Sequence, residues 1–215
     1  MSDIFREVDE EIRKEDYAAL ARKYGPWMIG LAVAIVLVVA GYQGWRYYER
    51  QQHLEASDTF AAAMQQVEGG NTAAGRNALA ELADPEGEGF ALLAAFELAR
   101  LTAEAGETQA AVETWERIAA TSTAGQPLSA AATLFAVMHR MQDGEDAAAL
   151  AGRLQPLTEP GSPFRFSALE LQAVLARKRG EPQRAVELYQ QIADAPEAPQ
   201  GARQRATQML KLLQG

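Results

Sequence analysis

The hydrophobic pattern is strongest near the start of the chain, where residues 25–45 contain no charged side chain. A helix over this run would be roughly 30 Å long at about 1.5 Å per residue, which matches the apolar core of a bilayer. Aromatic residues flank the run at both ends, as is typical of rings that favour the headgroup region. The pattern predicts a transmembrane helix over 25–45, whose anchoring residues are Trp27, Gly30, Ala34, Gly41, Gly44 and Trp45.

Positive charges near the predicted span are biased towards its N-terminal side. Lys or Arg occupies positions 13, 14, 22 and 23, whereas only Arg46 and Arg50 follow the span before Arg76. This bias predicts a cytoplasmic N-terminus and a periplasmic C-terminal domain on a bacterial inner membrane. The long acidic segment before the run is unlike a signal peptide, so we expect an uncleaved, single-pass anchor. The expected divisions are a cytoplasmic acidic helical stub (1–24), the transmembrane helix (25–45), a juxtamembrane helix or linker (46–53) and a periplasmic repeat domain (54–215).

Apolar positions after the span recur at helical spacing, and two stretches of sequence resemble each other. Residues 106–119 and 180–193 share a Gly, an Ala five residues later, an aromatic residue four further on and an Ile after three more. Gly70 and Gly144 open weaker copies, so the four glycines are spaced 36, 38 and 36 residues apart. A Gly can end a helix in a left-handed conformation, and a small Ala suits a helix crossing. The pattern resembles the tetratricopeptide repeat, although the Trp-Leu-Gly-Tyr positions of its first helix are not kept.

Pro-rich and Gly-rich segments between the apolar stretches indicate the helix boundaries. We expect helix pairs at 54–83, 89–121, 128–156 and 163–193. A last helix after Pro199 would cover the apolar face of the final pair. No stretch has the alternation of a strand. The sequence therefore predicts an all-α protein with one N-terminal transmembrane helix, a tetratricopeptide-like α-solenoid of about four helix pairs, and a capping helix.

Composition and missing motifs exclude several classes of function. The net charge of −9 argues against nucleic-acid binding, which needs a basic surface. The chain has no Cys and two His, His53 and His139, so we predict no metal site. It contains no phosphate-binding loop, dinucleotide turn or nucleophile motif, so we predict no catalytic residue, cofactor or small-molecule substrate. A non-enzymatic protein that binds other proteins is the class that remains.

The first helices of stacked pairs line the concave face of a solenoid, where a partner can bind. Methionine side chains on such a face adapt to irregular apolar partners. The alternative is that several of these side chains belong to the core. We expect that replacing Phe96 and Met138 with Glu abolishes partner binding without unfolding the domain. The predicted partner-binding groove consists of Phe60, Met64, Phe96, Arg100, Leu134, Met138, Met141 and Arg177.

The succession of an acidic stub, one span and degenerate repeats resembles the YfgM-type family, the ancillary subunits of the SecYEG translocon. The opening MSDIFREVDEE and the stretch PFRFSA at 163–168 look like alphaproteobacterial members. The resemblance implies a non-enzymatic inner-membrane protein whose partners are the translocon, a membrane-anchored periplasmic chaperone of the PpiD type and emerging envelope proteins. The alternative left open is a scaffold for another envelope machine, in cell division, outer-membrane assembly or respiratory complex assembly.

Overall fold

The computed structural model describes Trp27 and residues 35–48, 51, 54–121 and 124–214. The chain divides into two units, Met1–Leu54 and Glu55–Gly215. In the first unit residues 35–48 are helical, and the apolar side chains from Ile35 to Val39 are exposed. Within the described ranges, no helix combines the length and apolar character needed to cross a bilayer. The predicted span over 25–45 lies partly outside the described residues, because positions 25, 26 and 28–34 are not among them.

The second unit is built from helices joined by short turns. In this unit α1 covers residues 55–68. Each helix packs mainly on its neighbours in sequence, so the helices form sequential pairs, and the last helix packs on the pair before it. This arrangement confirms the predicted all-α order of helix pairs and a capping helix. The helices after α1 are α2 (Thr72–Leu82), α3 (Gly89–Glu104), α4 (Thr108–Ala120), α5 (Gly125–Arg140), α6 (Ala147–Leu154), α7 (Arg165–Lys178), α8 (Pro182–Asp194) and α9 (Gln200–Gln214).

The third pair differs from the expected boundaries at both ends. Helix α5 begins at Gly125, before Pro127, because a proline is accepted in the first turn, where backbone N–H groups have no partner within the helix. Helix α6 ends at Leu154, and the 3-10 turn Gln155–Thr158 takes up Pro156. The pair is therefore one regular helix followed by a shorter helix with a 3-10 extension.

A glycine with positive φ follows the first helix of each pair. At Gly106 the backbone N–H donates to the carbonyl of Ala103 at 3.0 Å, and the next N–H donates to Thr102 at 3.1 Å. These bonds satisfy carbonyl groups that the end of α3 leaves free. The glycine spacing seen in the sequence is thus the repeat of one turn, with φ angles of 85, 89, 83 and 75° at Gly70, Gly106, Gly144 and Gly180.

The second helices of two pairs bury the stripe that the sequence predicts. Helix α4 begins this stripe with Ala111, whose small side chain lets α4 lie close to α3. Trp115 and Ile118 follow after four and three residues, and both are fully buried. The large side chains fill the space on either side of the close crossing. The equivalent buried residues of α8 are Ala185, Tyr189 and Ile192.

The third pair is in a shifted register, in which Leu150 stands where α4 and α8 have their small alanine. Its turn is one residue longer after Gly144, so α6 begins at Ala147 with Asp146 as its N-cap. The Asp146 carboxylate accepts hydrogen bonds from two backbone N–H groups of the first turn. Leu150 and Leu154, four residues apart, occupy the buried positions. The shift explains why this copy of the repeat is weak when residues are counted from its glycine.

The first pair has Gly75 where α4 and α8 have their small alanine. A Cβ atom at this position would lie 2.9 Å from the carbonyl oxygen of Ala63 in α1, and would also meet the Val67 side chain. Leu79, four residues later, is fully buried. The backbones of α1 and α2 are therefore close enough that only a residue without a side chain fits between them.

Helix α9 closes the C-terminal end of the stack. Its buried side packs on the core of α7 and α8 through Ala202 and Ala206, with Met209, Leu210 and Leu213 at the edge. A solenoid needs a polar outer face on its last element, since no further pair follows to bury apolar groups. Its other side exposes the polar residues Gln200, Gln204, Thr207 and Gln208, whereas Leu212 near its C-terminal end is an exposed apolar residue.

Gly75→Ala is expected to lower the free energy of unfolding by about 1–3 kcal/mol, because its Cβ has no room against the α1 backbone. Gly152→Ala in α6 is the matched control, since a Cβ there meets no atom within 4 Å. The control should leave stability unchanged or raise it, as alanine favours a helix more than glycine does. Urea denaturation followed by circular dichroism measures both. Equal stability of the two variants would contradict the close crossing.

Candidate partner-binding face

Helix α5 carries a face that its neighbouring helices leave uncovered. On one side Ala132 and Ala136 join the core formed with α3 and α4. On another side Leu134, Val137 and Met141 join the core formed with α6 and α7. Between these sides lie Ala131, Met138 and Gln142, spaced by seven and four residues along the helix. Met138 is 44% exposed, so its apolar side chain reaches solvent.

Equivalent positions on the other first helices extend this surface. The residues at the same position of the repeat as Met138 are Met64 in α1, Arg100 in α3 and Val174 in α7. Met64, Arg100 and Val174 are partly buried. Leu93, which lies two turns before Arg100 on the same side of α3, is exposed. We call these positions the open face, which consists of Met64, Leu93, Arg100, Ala131, Met138, Gln142 and Val174.

The open face changes character along the stack. At α3 the Arg100 guanidinium forms ion pairs with Glu97 and Glu104 of the same helix. At α5 and α7 the corresponding residues are Met138 and Val174, which are apolar. A partner that lies along this face would therefore meet a charged, internally paired patch at α3 and apolar residues at α1, α5 and α7.

Two of the predicted groove residues belong to the core instead. Leu134 and Met141 are buried because they lie on the side of α5 that packs on α6 and α7. Their spacing of seven residues fits one face of a helix, but that face points inward. The prediction that they line a groove is corrected: in this packing neither side chain can reach a partner.

The remaining predicted groove residues occupy intermediate or exposed positions. Phe60 is partly buried against the core of the first pair, and its ring centroid lies 5.8 Å from that of Phe90. Met64 and Arg100 belong to the open face as defined. Arg177 is exposed, and it forms no ion pair within the part of the chain that the structure describes.

Phe96 lies in an aromatic cluster that joins α3, α4 and α5. Its ring meets Phe135 edge-on at 5.4 Å between centroids, and Trp115 lies 6.3 Å away. His139 stacks on Trp115 at 5.0 Å, with 27° between the planes. The indole N–H of Trp115 has no hydrogen-bond partner among the described residues, so packing holds this ring in place. Phe96 is therefore partly a core residue, which changes the expectation that a charge is tolerated there.

A network of ion pairs crosses from the second helix pair to the third. The Glu116 carboxylate accepts two hydrogen bonds from Arg140, each of 2.9 Å, and pairs with Arg153 at 2.6 Å. Arg140 also donates to Glu145 at 3.0 Å. Burial raises the pKa of Glu116, but the hydrogen bonds and charges of the two arginines outweigh burial and hold the pKa below its usual range. This network is not visible in the sequence, because Arg140 and Arg153 lie 24 and 37 residues from Glu116.

Most basic residues of the C-terminal part are engaged within the domain. The Lys178 ammonium donates to the carbonyl of Met141 at 2.6 Å, where it satisfies a group at the end of α5. The Arg205 guanidinium makes two hydrogen bonds of 2.8 Å to Glu170, which join α9 to α7. These two contacts stabilise the packing between helices. In the cluster at 177–179, Arg177 is the member whose side chain forms no hydrogen bond or ion pair with the described residues.

The predicted membrane-anchor residues are only partly described. Trp27 and Trp45 are both exposed. A Cβ added at Gly41 or Gly44 would meet no atom within 4 Å, so neither glycine contacts another described element. The other two predicted anchor residues, Gly30 and Ala34, lie outside the described residues. The role of Gly30 and Ala34 as anchor residues stays a prediction.

Comparison with known protein families agrees with the paired-helix fold. A family described as a tetratricopeptide repeat-like domain matches residues 18–213. The match spans most of the chain, and the chain belongs to this family. Neither a curated protein nor a solved structure matches the chain. Repeats of this class present stacked helix pairs to protein partners, so a role in protein–protein interaction follows from the family.

Glu116→Gln is expected to lower the free energy of unfolding by about 1–2 kcal/mol at neutral pH, because it removes the negative charge that pairs with both Arg140 and Arg153. The folded-state pKa of Glu116 is below the unfolded value of about 4.3, so its stabilisation is complete above that value. It is lost as the pH falls through the lower folded-state pKa. Urea denaturation between pH 7 and pH 3 should show the difference between wild type and variant shrinking below about pH 4. The control is Glu113→Gln, on the exposed side of α4; a similar loss in both variants would contradict the network.

Met138→Glu is expected to change the melting temperature little, because its side chain reaches solvent. Phe96→Glu should destabilise by about 3 kcal/mol or more, since it places a charge within the aromatic cluster. Thermal unfolding followed by circular dichroism compares the two. Comparable stability would show that Phe96 does not contribute to the core.

Proposed function

We propose that this chain is a non-enzymatic, single-pass inner-membrane protein whose repeat domain binds partner proteins in the periplasm, at the SecYEG translocon. The observation that carries the proposal is the open face, where Met138 remains exposed within a tetratricopeptide repeat-like domain. Exposed methionine can repack against different apolar segments, which suits a protein that meets varied chains as they emerge.

The membrane anchor rests on the apolar run at 25–45 and on the helix at its C-terminal end. Residues 35–39 of that helix are all large or branched apolar residues with exposed side chains, a surface that water disfavours and lipid would cover. The family match begins at residue 18, so it includes this apolar run together with the repeats. The excess of Lys and Arg before the run favours a cytoplasmic N-terminus and a periplasmic repeat domain.

The choice of the translocon rests on the resemblance to YfgM-type proteins, which extends from the acidic stub to the last helix. On this proposal the span lies beside translocon subunits. The repeat domain then holds a membrane-anchored periplasmic chaperone of the PpiD type, or an emerging chain. A scaffold for cell division, outer-membrane assembly or a respiratory complex would have the same fold, so the partners discriminate between these functions.

Photo-crosslinking in native membranes tests the proposal. A photoreactive phenylalanine derivative replaces Met138 on the open face in one strain and Tyr42 near the predicted span in another. We expect adducts of the first with a periplasmic chaperone or emerging chains, and adducts of the second with SecY. A third strain carries the crosslinker at Gln204, on the polar outer side of α9, and should give neither.

The outcomes separate the parts of the proposal. Adducts with a division or respiratory complex and none with SecY would overturn the translocon assignment. A yield at Met138 no higher than at Gln204 would overturn the open face as the binding surface. Orientation is tested by labelling Ser2→Cys and Gln204→Cys with an impermeant maleimide, because the chain has no other cysteine. We expect only Gln204→Cys to react before the inner membrane is lysed.

A further inference from the structure

A cleft with both polar and apolar lining residues lies between α6, α7 and α8, on the side of α7 away from the open face. Its volume is about 250 Å³. Gln172 lines the cleft, whereas Val174 belongs to the open face. These residues lie on nearly opposite sides of α7, because they are two positions apart along the helix. The cleft is thus a second surface, unrelated to the binding face proposed above. Its lining residues are Ala148, Ala151, Gly152, Gln155, Gln172, Arg179, Arg184 and Leu188.

The base of the cleft holds a buried amide with an unused oxygen. Gln172 is 8% exposed, and its Nε2 donates to the carbonyl of Ala151 and to Oε1 of Gln155, each at 3.2 Å. The Oε1 atom of Gln172 accepts no hydrogen bond from the described residues, and the Nε2 group of Gln155 donates none to them. The two amides together therefore offer one acceptor and one donor group, the complement of a peptide bond.

Two guanidinium groups line the same cleft with most of their donors free. Arg179 uses one nitrogen to bind Glu181 at 2.7 Å, and Arg184 uses one to bind Glu187 at 2.8 Å. Both glutamates are largely exposed and lie within three residues of their arginine, so a ligand can compete with these pairs at little cost. An arginine has five N–H donors in a fork that matches a carboxylate.

The wall formed by α6 is open because its residues are small. Ala148, Ala151 and Gly152 present almost no side chain, and a Cβ added at Gly152 would meet no atom within 4 Å. A space of this size is below that of a typical small-molecule pocket, and it suits one or two residues of a chain.

We propose that this cleft binds a carboxylate carried on an extended peptide, with Arg179 and Arg184 holding the carboxylate and Gln155 and Gln172 holding the adjacent peptide bond. Inorganic phosphate pairs less well, because it lacks the peptide N–H and C=O groups that would meet Gln172 and Gln155 beside the carboxylate. The carboxylate can come from the C-terminus of a chain or from an Asp or Glu side chain, and both sources share this chemistry.

Fluorescence anisotropy with the full-length chain in neutral detergent tests the proposal. Three short Gly-Ser-Ala peptides carry an uncharged dye: one has a free C-terminal carboxylate, one has an amidated end, and one has an amidated end with an internal Asp. We expect the amidated peptide without Asp to bind at least about tenfold more weakly than a peptide with a carboxylate. Binding of only the first or only the third peptide would identify the source, and either result supports the site.

Two sets of variants locate the binding. The double variant Arg179→Gln, Arg184→Gln should weaken carboxylate binding at least about tenfold. The matched control, Arg117→Gln with Arg203→Gln, removes the same charge from arginines that form no ion pair with the described residues, and should bind as the wild type does. Gly152→Leu fills the cleft and should abolish binding. Thermal unfolding of each variant confirms that it is folded.

Several results would overturn the proposal. These are equal binding of the amidated peptide, no binding of either carboxylate peptide at millimolar concentration, or competition by inorganic phosphate as strong as by unlabelled peptide. Unchanged binding in folded Gly152→Leu would do the same. If Gly152→Leu does not fold, the arginine double variant and its control still decide the question.

Discussion

The close crossing of two helices at a residue with little or no side chain holds each regular pair of this domain together. Ala111 and Ala185 serve this purpose in α4 and α8, and Gly75 does so in α2, where a Cβ would lie 2.9 Å from a carbonyl of α1. A large residue four positions later fills the space beside the crossing. Because every pair packs on the next, the spacing at this crossing sets where all later helices lie.

Helix α4 orients α5 by two different interactions from neighbouring residues. Trp115 points into the aromatic cluster with Phe96 and Phe135, and Glu116 binds Arg140 at the far end of α5. Apolar packing is not directional, whereas the two hydrogen bonds between carboxylate and guanidinium fix the rotation of the helix. That rotation decides that Met138 reaches solvent while Leu134 and Met141 are buried.

Helix α7 separates two surfaces of different chemistry. One side presents Val174 to the apolar open face, and the other presents the Gln172 amide to the cleft with Arg179 and Arg184. Apolar contact suits variable partner segments, whereas an amide and two guanidinium groups suit one chemical group in one orientation. A domain with both surfaces could hold a chain at two points, and two linked weak contacts bind more tightly than either alone.

The helix pairs could be predicted from the amino-acid sequence, because the glycines that end each first helix, the small crossing residues and the stripe ending in Ile118 and Ile192 are local signals with a fixed spacing. It also predicted the capping helix from its apolar stripe. It did not determine which side of α5 faces solvent, nor the shift of α6 behind Asp146, because both depend on contacts with other helices. Only the tertiary structure joined Glu116 to Arg153 and placed Gln172 and Arg184 in one cleft, since helix packing rather than chain distance decides which polar groups lie close together.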